Sequence, residues 1–479
     1  MKIAMVASEA APFVKTGGLG DVIQALPEAL AKYSNLEISL FLPFYDRIKY
    51  AAKWDVEFLG NFDVSLMWRT EYVGIFRLKS KKRKIRVYFI DNEHYFGRGG
   101  IYGYGDDGER YAFYCRAVLA SIVRLELAPD VIHCHDWQTA LIPLLLKSEF
   151  AESLPDTKSI FTIHNIEYQG WCNADFNREV LGLPERFEQR LQFMEGTNFM
   201  KAAIETADHV STVSNTYAYE LQFPYFAHGL AEVLIGRDKD FSGITNGIDT
   251  ELYHAGKTAG IAAHYTPETV AAGKKTNKLA LQKKLGLPER EDVPLLAMVT
   301  RLAGHKGIDL LCAAADRILE KDVQLVVLGT GEAQYESFLN QLQSRYPDKV
   351  SACLFFDGGV ANLIYAAADL YLMPSRSEPC GLSQLIAMRF GGVPVVHETG
   401  GLKDTVPAFN EKTQTGRGFT FQSYNAEDFL NAIERCLELY EREPGKWLAL
   451  AGANMRADFS WDKPAKEYLR LYEKVCGKD

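Results

Sequence analysis

Leu370-Tyr-Leu-Met-Pro374-Ser-Arg-Ser-Glu378-Pro-Cys-Gly381-Leu-Ser383 sets the fold of this chain. Its apolar start reads as a short buried strand, its middle as a proline- and glycine-marked loop, and its end as the start of a helix. The pattern recurs just downstream, where Val393-Pro-Val-Val leads into Thr399-Gly-Gly-Leu-Lys-Asp404-Thr-Val. Strand–loop–helix junctions of this kind lie at the carboxyl edge of a parallel sheet, where open α/β folds bind ligands. Free backbone N–H groups at a helix start favour phosphate or other oxygen-rich ligands. Glu378 adds an acceptor suited to hydroxyl groups. Together these features point to a phosphorylated sugar.

Working outward, short apolar runs alternate with amphipathic stretches over nearly the whole chain, the pattern of parallel βαβ units. Strands are expected at Ile3–Ala7, Glu37–Leu42, Val131–His135, Ser159–His164 and His209–Ser214, with a hairpin from Tyr72–Leu78 and Lys84–Ile90. The patterning weakens from Asn246 to Asp292. It then restarts with strands at Leu295–Thr300, Val323–Leu328, Ala352–Phe356, Asp369–Met373, Val393–Val396 and Gly418–Phe421. At 479 residues the chain exceeds the size at which one core keeps growing. Two α/β domains are therefore expected, residues 1–243 and 244–458, with a terminal segment 459–479 packing back on the first. Lys463–Val475 carries helical spacing through Ala465, Tyr468, Leu469, Tyr472 and Val475. No repeat at solenoid spacing is present.

Composition narrows the function. A net charge of −9 argues against nucleic acid or an anionic membrane as the main partner. The eight cysteines are scattered without a Cys-x-x-Cys pair, which suits a reduced cytoplasmic protein better than a disulfide framework or structural zinc site. Met1–Ala7 opens like a signal peptide, but Ser8 and Glu9 end its apolar run too early, so it reads as the first buried strand.

Four groups of residues carry possible chemistry. Lys15-Thr-Gly-Gly-Leu-Gly20-Asp21 follows the first strand and precedes a helix expected to run to about Tyr33. Its paired glycines, Gly17 and Gly18, allow close backbone approach, and Lys15 supplies a point charge for a phosphate. A tight turn with a solvated lysine reads equally well. Arg301 and Lys306 follow the strand ending in Thr300, where a fork and a point charge suit a diphosphate; a solvated surface pair is the plainer reading. His133-Cys-His135-Asp136-Trp137 suggests a metal centre, but strand alternation puts His133 and His135 on one face and Asp136 on the other, so no metal site is assigned. The basic run Lys79-Ser-Lys-Lys-Arg-Lys84 lacks interleaved aromatics and reads as a solvated turn.

Taken in order, Ser8-Glu-Ala-Ala-Pro-Phe-Val-Lys15-Thr-Gly-Gly-Leu, His135-Asp-Trp, Thr162-Ile-His164-Asn, Thr245-Asn246-Gly-Ile-Asp249, Arg301-Leu…Lys306-Gly, Ser375-Arg-Ser-Glu378-Pro-Cys-Gly-Leu and Thr399-Gly-Gly-Leu-Lys-Asp-Thr-Val resemble the bacterial glycogen synthases and plant starch synthases, glycosyltransferase family 5. The resemblance runs nearly end to end. It implies a GT-B fold, two Rossmann-like parallel-sheet domains facing across a deep cleft. It also implies retaining transfer of glucose from ADP-glucose to the non-reducing end of an α-1,4-glucan, with no metal or cofactor required. By match, Lys15, Gly17 and Gly18 would touch the donor, and Arg301 and Lys306 would hold its diphosphate. Glu378, with the amides of Cys380, Gly381, Leu382 and Ser383, would hold the glucose. Asp136, His164 and Asn165 would line the opposing wall, with the His164 carbonyl facing the anomeric carbon. Asn246 would join the donor site, and Phe356 would stack on the adenine.

His305, Ser377, Asn215 and Tyr253 depart from the family pattern, without removing a charged site residue. They bear on acceptor length and loop closure. A UDP-glucose-dependent relative of the same fold is the nearest alternative, but many of those carry a second glutamate eight positions after the first, where Ile386 stands here. A catalytically silent glucan-binding homologue should have lost Lys15, Arg301, Lys306 or Glu378. A nucleotide-sugar epimerase would have no use for an extended acceptor channel.

Overall fold

The structure, a computed structural model, describes residues 1–80 and 85–478; residues 81–84 of the basic run lie outside them. The chain forms two compact units. One comprises Met1–Asn246 with Trp461–Asp479, and the other Gly247–Ser460. These divisions fall three and two residues beyond the boundaries expected from the sequence.

Twelve strands among the described residues belong to the first unit: β1 Lys2–Val6, β2 Glu37–Pro43, β3 Val56–Leu66, β4 Arg69–Leu78, β5 Arg86–Asp91, β6 Val131–His135, β7 Lys158–Ile163, β8 Trp171–Cys172, β9 Gln192–Phe193, β10 Gly196–Asn198, β11 His209–Thr212 and β12 Phe241–Gly243. Nine of them form one sheet in the order β12-β11-β7-β6-β1-β2-β5-β4-β3, while β8, β10 and β9 form a small separate sheet. Pairing is parallel from β12 through β5 and antiparallel for β5-β4-β3. The expected hairpin corresponds to β4 and β5. The sequence reading missed β3, an edge strand whose largely uncovered face and interior Gly60-Asn61 blur its apolar alternation.

The second unit is a six-stranded parallel sheet built from β13 Leu295–Val299, β14 Gln324–Leu328, β15 Val350–Cys353, β16 Leu370–Met373, β17 Val393–His397 and β18 Phe419–Phe421, in the order β15-β14-β13-β16-β17-β18. Strand alternation separates its core into two layers. Leu296, Met298, Leu325, Val327, Leu370 and Leu372 face the helices Ile308–Leu319 and Ala426–Arg442. Leu295, Ala297, Val326, Leu328 and Tyr371 face the helices Val270–Leu285 and Gly358–Ala367. β15 is shorter than expected and ends at Cys353, the last residue paired with β14. Asp357 then caps the next helix by accepting from the Val360 N–H at 2.8 Å. Phe355 and Phe356 are left outside the ladder.

The helix Asp462–Val475 completes the first unit, burying Ala465, Tyr468, Leu471 and Tyr472 in its core. Leu471 takes the place that helical spacing gave to Leu469. Among the described residues no helix is long and apolar enough to cross a membrane.

Both sheets place a topological switch point beside their first strand. Connections leave β1 to one side for β2 and β5 and to the other for β6, β7 and β11. Likewise β13 sits between β14 and β16. Loops diverge in opposite directions at such a point, opening a crevice at the carboxyl ends of the strands.

The amino edge of the second sheet has a separate electrostatic arrangement. Lys278 and Asp369 form a buried ion pair at 2.6 Å, and Asp369 also accepts from the Leu295 N–H at 2.9 Å. Lys274 is buried beside them. Among the described residues its ammonium donates only to the carbonyls of Ala366 (3.3 Å) and Phe390 (3.1 Å), which Tyr265 Oη also serves. Burial pushes Lys274 down to about 7 from an ordinary 10.5. Between these values the unfolded chain carries the extra proton, so this residue makes stability rise with pH across that window. Lys274→Met should remove that contribution. Its melting temperature relative to the parent should be highest near about pH 6 and a few degrees lower by about pH 9. Calorimetry at the two pH values checks this, and a pH-independent difference would refute it.

Candidate active site

In the first unit, the β1–helix loop and the ends of β6 and β7 meet at the switch point. The helix after β1 spans Gly18–Leu30, ending earlier than the expected Tyr33. Lys15 lies in the preceding loop, with its Nζ 2.7 Å from the Asp21 carboxylate. Gly17 is extended, and a Cβ there would lie 3.9 Å from Glu9 Oε1, so no protein contact demands a glycine. Gly20 is the tight position instead, because a Cβ there would press on the Lys15 stem at 2.9 Å. Glu9 was not singled out from the sequence. It is 3% exposed and accepts hydrogen bonds from Thr16 N–H (2.5 Å) and Oγ1 (2.9 Å), and burial raises its carboxyl above the ordinary range. A carboxylate just past a buried strand, inside an apolar run, was the available signal.

Asp136 follows β6 with φ 58° and ψ 177°, a backbone region almost confined to glycine. Its Oδ1 accepts from His164 N–H (2.7 Å) and Asn165 N–H (3.3 Å) at the end of β7. Its own N–H is tied to the Thr162 carbonyl at 3.0 Å. Burial pushes the Asp136 carboxyl up to about 7. The structure therefore brings Asp136, His164 and Asn165 together as one hydrogen-bonded group. The Asn165 side chain turns away to accept from Glu167 N–H at 3.0 Å. Asn246 lies at the end of this unit, 6% exposed, with a buried Oδ1 that has no partner among the described residues. His133 and His135 share a face as alternation requires, their ring centroids 4.0 Å apart. Among the described residues no group of three or more His, Cys, Asp or Glu side chains is arranged to hold a metal ion.

In the second unit, the loops after β13 and β16 meet at the switch point. Lys306 Nζ donates to both carboxylate oxygens of Glu378, at 2.9 and 2.8 Å, and Ser375 Oγ donates to Oε2 at 2.9 Å. Glu378 is 6% exposed, so a cation within bonding reach is what makes its charge tolerable there. Separate duties for Lys306 and Glu378 were expected from the sequence, whereas here they form one unit. Arg301 is exposed and makes no ion pair among the described residues. Cys380 is buried, and Gly381 has φ 69°. Leu382 precedes the helix Ser383–Arg389. Phe356 is 87% exposed.

Three glycines hold the Glu378 loop in place. A Cβ at Gly307 (φ 75°) would overlap the Pro374 carbonyl. One at Gly400 (φ 43°) would overlap the Glu378 carbonyl, and one at Gly401 the Cys380 backbone. Gly401 N–H donates to the Glu378 carbonyl at 3.0 Å. The Thr399–Gly401 stretch, read from sequence as a ligand loop, is therefore first a clamp on the loop carrying Glu378. His397 Nδ1 lies 2.8 Å from the Ser375 carbonyl and braces the same loop from β17. Gly400→Ala should cost at least about 2 kcal/mol. Gly445→Ala, where a Cβ meets nothing within 4 Å in the helix Pro444–Arg456, should be neutral or stabilising. Urea unfolding of both checks the contrast; equal stabilities would refute the clamp.

Comparison with known proteins agrees with this geometry. Residues 2–236 match the family model described as starch synthase catalytic domain, and residues 281–445 match glycosyl transferases group 1. Glycogen synthase of Clostridium beijerinckii (strain ATCC 51743 / NCIMB 8052) is 44% identical over 100% of both chains. Glycogen synthase of Bacillus subtilis (strain 168) is 44% identical over 100% of this chain and 99% of its own. The solved catalytic domain of starch synthase IV from Arabidopsis thaliana, bound to ADP and acarbose, superposes with a TM-score of 0.91 at 34% identity, covering 99% of each chain. Sucrose-phosphate synthase from Thermosynechococcus elongatus, at 18% identity and a TM-score of 0.63 over 100% of both chains, shares the fold.

Proposed function

The chain belongs to the starch and glycogen synthase family of glycosyltransferases and has its GT-B fold, and we propose that it transfers glucose from ADP-glucose to the non-reducing end of an α-1,4-glucan, with retention. The observation that carries this reading is the Lys306–Glu378–Ser375 group at the switch point of the second unit. An ammonium has three N–H groups and a carboxylate about four acceptor sites. Lys306 uses two N–H groups on Glu378, leaving one for a phosphate oxygen. Glu378 accepts three hydrogen bonds, two of them on Oε2, so its remaining capacity lies on Oε1, for a sugar hydroxyl. A phosphate and a hexose can thus be held side by side by one ion pair.

The chemistry assigns the other residues. Breaking the bond between glucose and diphosphate leaves negative charge on ADP and positive charge on the anomeric carbon. In the second unit Arg301, Lys306 and the amides of Cys380, Gly381, Leu382 and Ser383 stabilise the first, as preorganised donors do, and in the first unit Lys15 is a point charge suited to a donor phosphate. The His164 carbonyl is a dipole suited to the second, with Asp136 and Asn165 fixing the backbone on either side of it. Gly17 and Gly18 allow the diphosphate close to the chain, Asn246 offers its amide to the donor, and the exposed Phe356 ring stacks on adenine. The acceptor hydroxyl attacks from the face the diphosphate leaves, and the departing phosphate takes its proton. In this reading the second unit is the nucleotide-sugar-binding domain and the first is the glucan-side domain, which also offers Lys15, Gly17, Gly18 and Asn246 to the donor. No metal or other cofactor takes part, and the partners are ADP-glucose and glucan rather than nucleic acid or membrane. The protein works in the cytoplasm. Ile386, 6% exposed and apolar, stands where many UDP-glucose enzymes of this fold carry a second glutamate, which supports ADP-glucose.

Incubating the protein with glycogen and each labelled nucleotide-glucose, then digesting with an α-specific amylase, tests this. Amylase-sensitive label from ADP-glucose is expected, and equal or better use of UDP-glucose would overturn the donor assignment. Glu378→Ala should lower kcat by about 10²–10³ with the fold intact by circular dichroism. Lys15→Gln should chiefly raise KM for the donor; an unchanged KM would remove Lys15 from the site.

A further inference from the structure

Three histidines lie close together along β6 and at the end of β7, and the proton positions of two of them, His135 and His164, can be deduced. His135 Nδ1 lies 3.0 Å from His164 Nε2. Two ring nitrogens share a hydrogen bond only when one of them carries the proton. Burial keeps both rings neutral, with His164 pushed down to about 3 and His135 well below its ordinary value. Each ring therefore has a single N–H. The other nitrogen of His135, Nε2, is buried with no hydrogen-bond partner among the described residues. A proton there would be an orphaned buried donor, a rarer state than an unshared acceptor. The proton of His135 therefore sits on Nδ1 and points at His164.

From this geometry we propose that His135 is a positioning residue that sets the tautomer of His164. By donating from Nδ1 to His164 Nε2, it places the single proton of His164 on Nδ1. That nitrogen makes no hydrogen bond among the described residues, and His164 keeps part of its surface exposed. The imidazole thus presents a fixed N–H donor beside the His164 carbonyl, suited to an oxygen of the bound sugar. This role rests on the reading of His164 as part of the sugar site. The buttress behind His135 comes from the end of the chain. His133 packs against the His135 ring at a 39° tilt and is held at both nitrogens, by Tyr472 Oη (2.8 Å) and Thr162 Oγ1 (2.6 Å). Tyr472 belongs to the helix Asp462–Val475, so that helix fixes the plane of the ring that orients His164.

The test uses the full chain with ring-¹⁵N histidine, where long-range ¹H–¹⁵N correlation spectra identify each tautomer and a His164→Asn sample assigns the His164 signals. The expected spectrum shows His164 protonated on Nδ1. His135→Leu should release the preference and lower kcat about 10-fold, the scale of one lost hydrogen bond, with little change in KM for the donor. His135→Asn sets an amide N–H where Nδ1 was and should recover most of the rate. A parent spectrum with the proton on His164 Nε2 overturns the proposal, as does His135→Asn being no faster than His135→Leu. If His135→Leu fails to fold, the parent spectrum alone decides. The spectrum is read without turnover, so it settles the tautomer even if the transferase assay fails, and the assay judges the function whichever tautomer is found.

Discussion

A carboxylate that is 6% exposed must have a cation or a full set of donors, and the pairing of Glu378 with Lys306 meets that demand. The two residues come from loops after different strands, β13 and β16, which lie side by side because the order of strands reverses there. For Lys306 to reach Glu378, the turn at Gly307 has to lie against the Pro374 carbonyl, which only a glycine with φ 75° allows. For the Glu378 loop to stay put, Gly400 and Gly401 have to press on it from the start of the helix that follows the next strand. A side chain at any of these points would separate the ion pair and leave an isolated charge, the costly outcome for a buried pair. Sheet order, glycine placement and the ion pair are therefore one constraint seen at three scales.

The same logic explains why the chemistry gathers where it does in each unit. The first strand of each sheet has its successors on both sides, so the following loops part and open a crevice at its carboxyl end. In the first unit the parted loops carry Lys15 and Asp136, and in the second Arg301, Lys306 and Glu378. None of these residues lies on a strand. The strands contribute rigid anchors instead, through fully buried apolar positions such as Met5, Val6, Leu296 and Leu370.

Most strands were legible because those of a parallel sheet covered on both faces are short apolar runs between breakers, and nearly all lie within two residues of their expected limits. β3 escaped because one face of an edge strand is polar, and β15 was drawn too long because Phe355-Phe356 looks like strand until the ladder partner runs out. Lys15, Lys306 and Glu378 could be seen as charges after buried strands. What could not be seen was their pairing. Asp21 on Lys15 and Lys306 on Glu378 depend on loop conformation that no spacing rule encodes. The Asp136 backbone was equally hidden, since φ 58° with ψ 177° leaves no mark in composition when the residue is not glycine. The glycines of Thr399–Gly401 were visible, but their purpose was not: a glycine that meets a ligand and one that meets another loop look alike in sequence.

The two units treat their carboxylates differently, and the difference has chemical consequences. Asp136 is held by backbone amides, which are fixed dipoles without net charge. Burial therefore prevails and its carboxyl rises to about 7. That makes it a rigid, weakly charged brace for the His164–Asn165 backbone. Glu378 is held by a flexible lysine that retains a donor for another anion. An amide-held group can fix geometry but cannot answer a change in charge, whereas an ion pair with a spare N–H can lean toward negative charge developing beside it without moving either backbone. An ion pair of that kind is suited to an anion whose charge grows beside it, and the amide brace is suited to holding the His164 carbonyl and imidazole in one orientation.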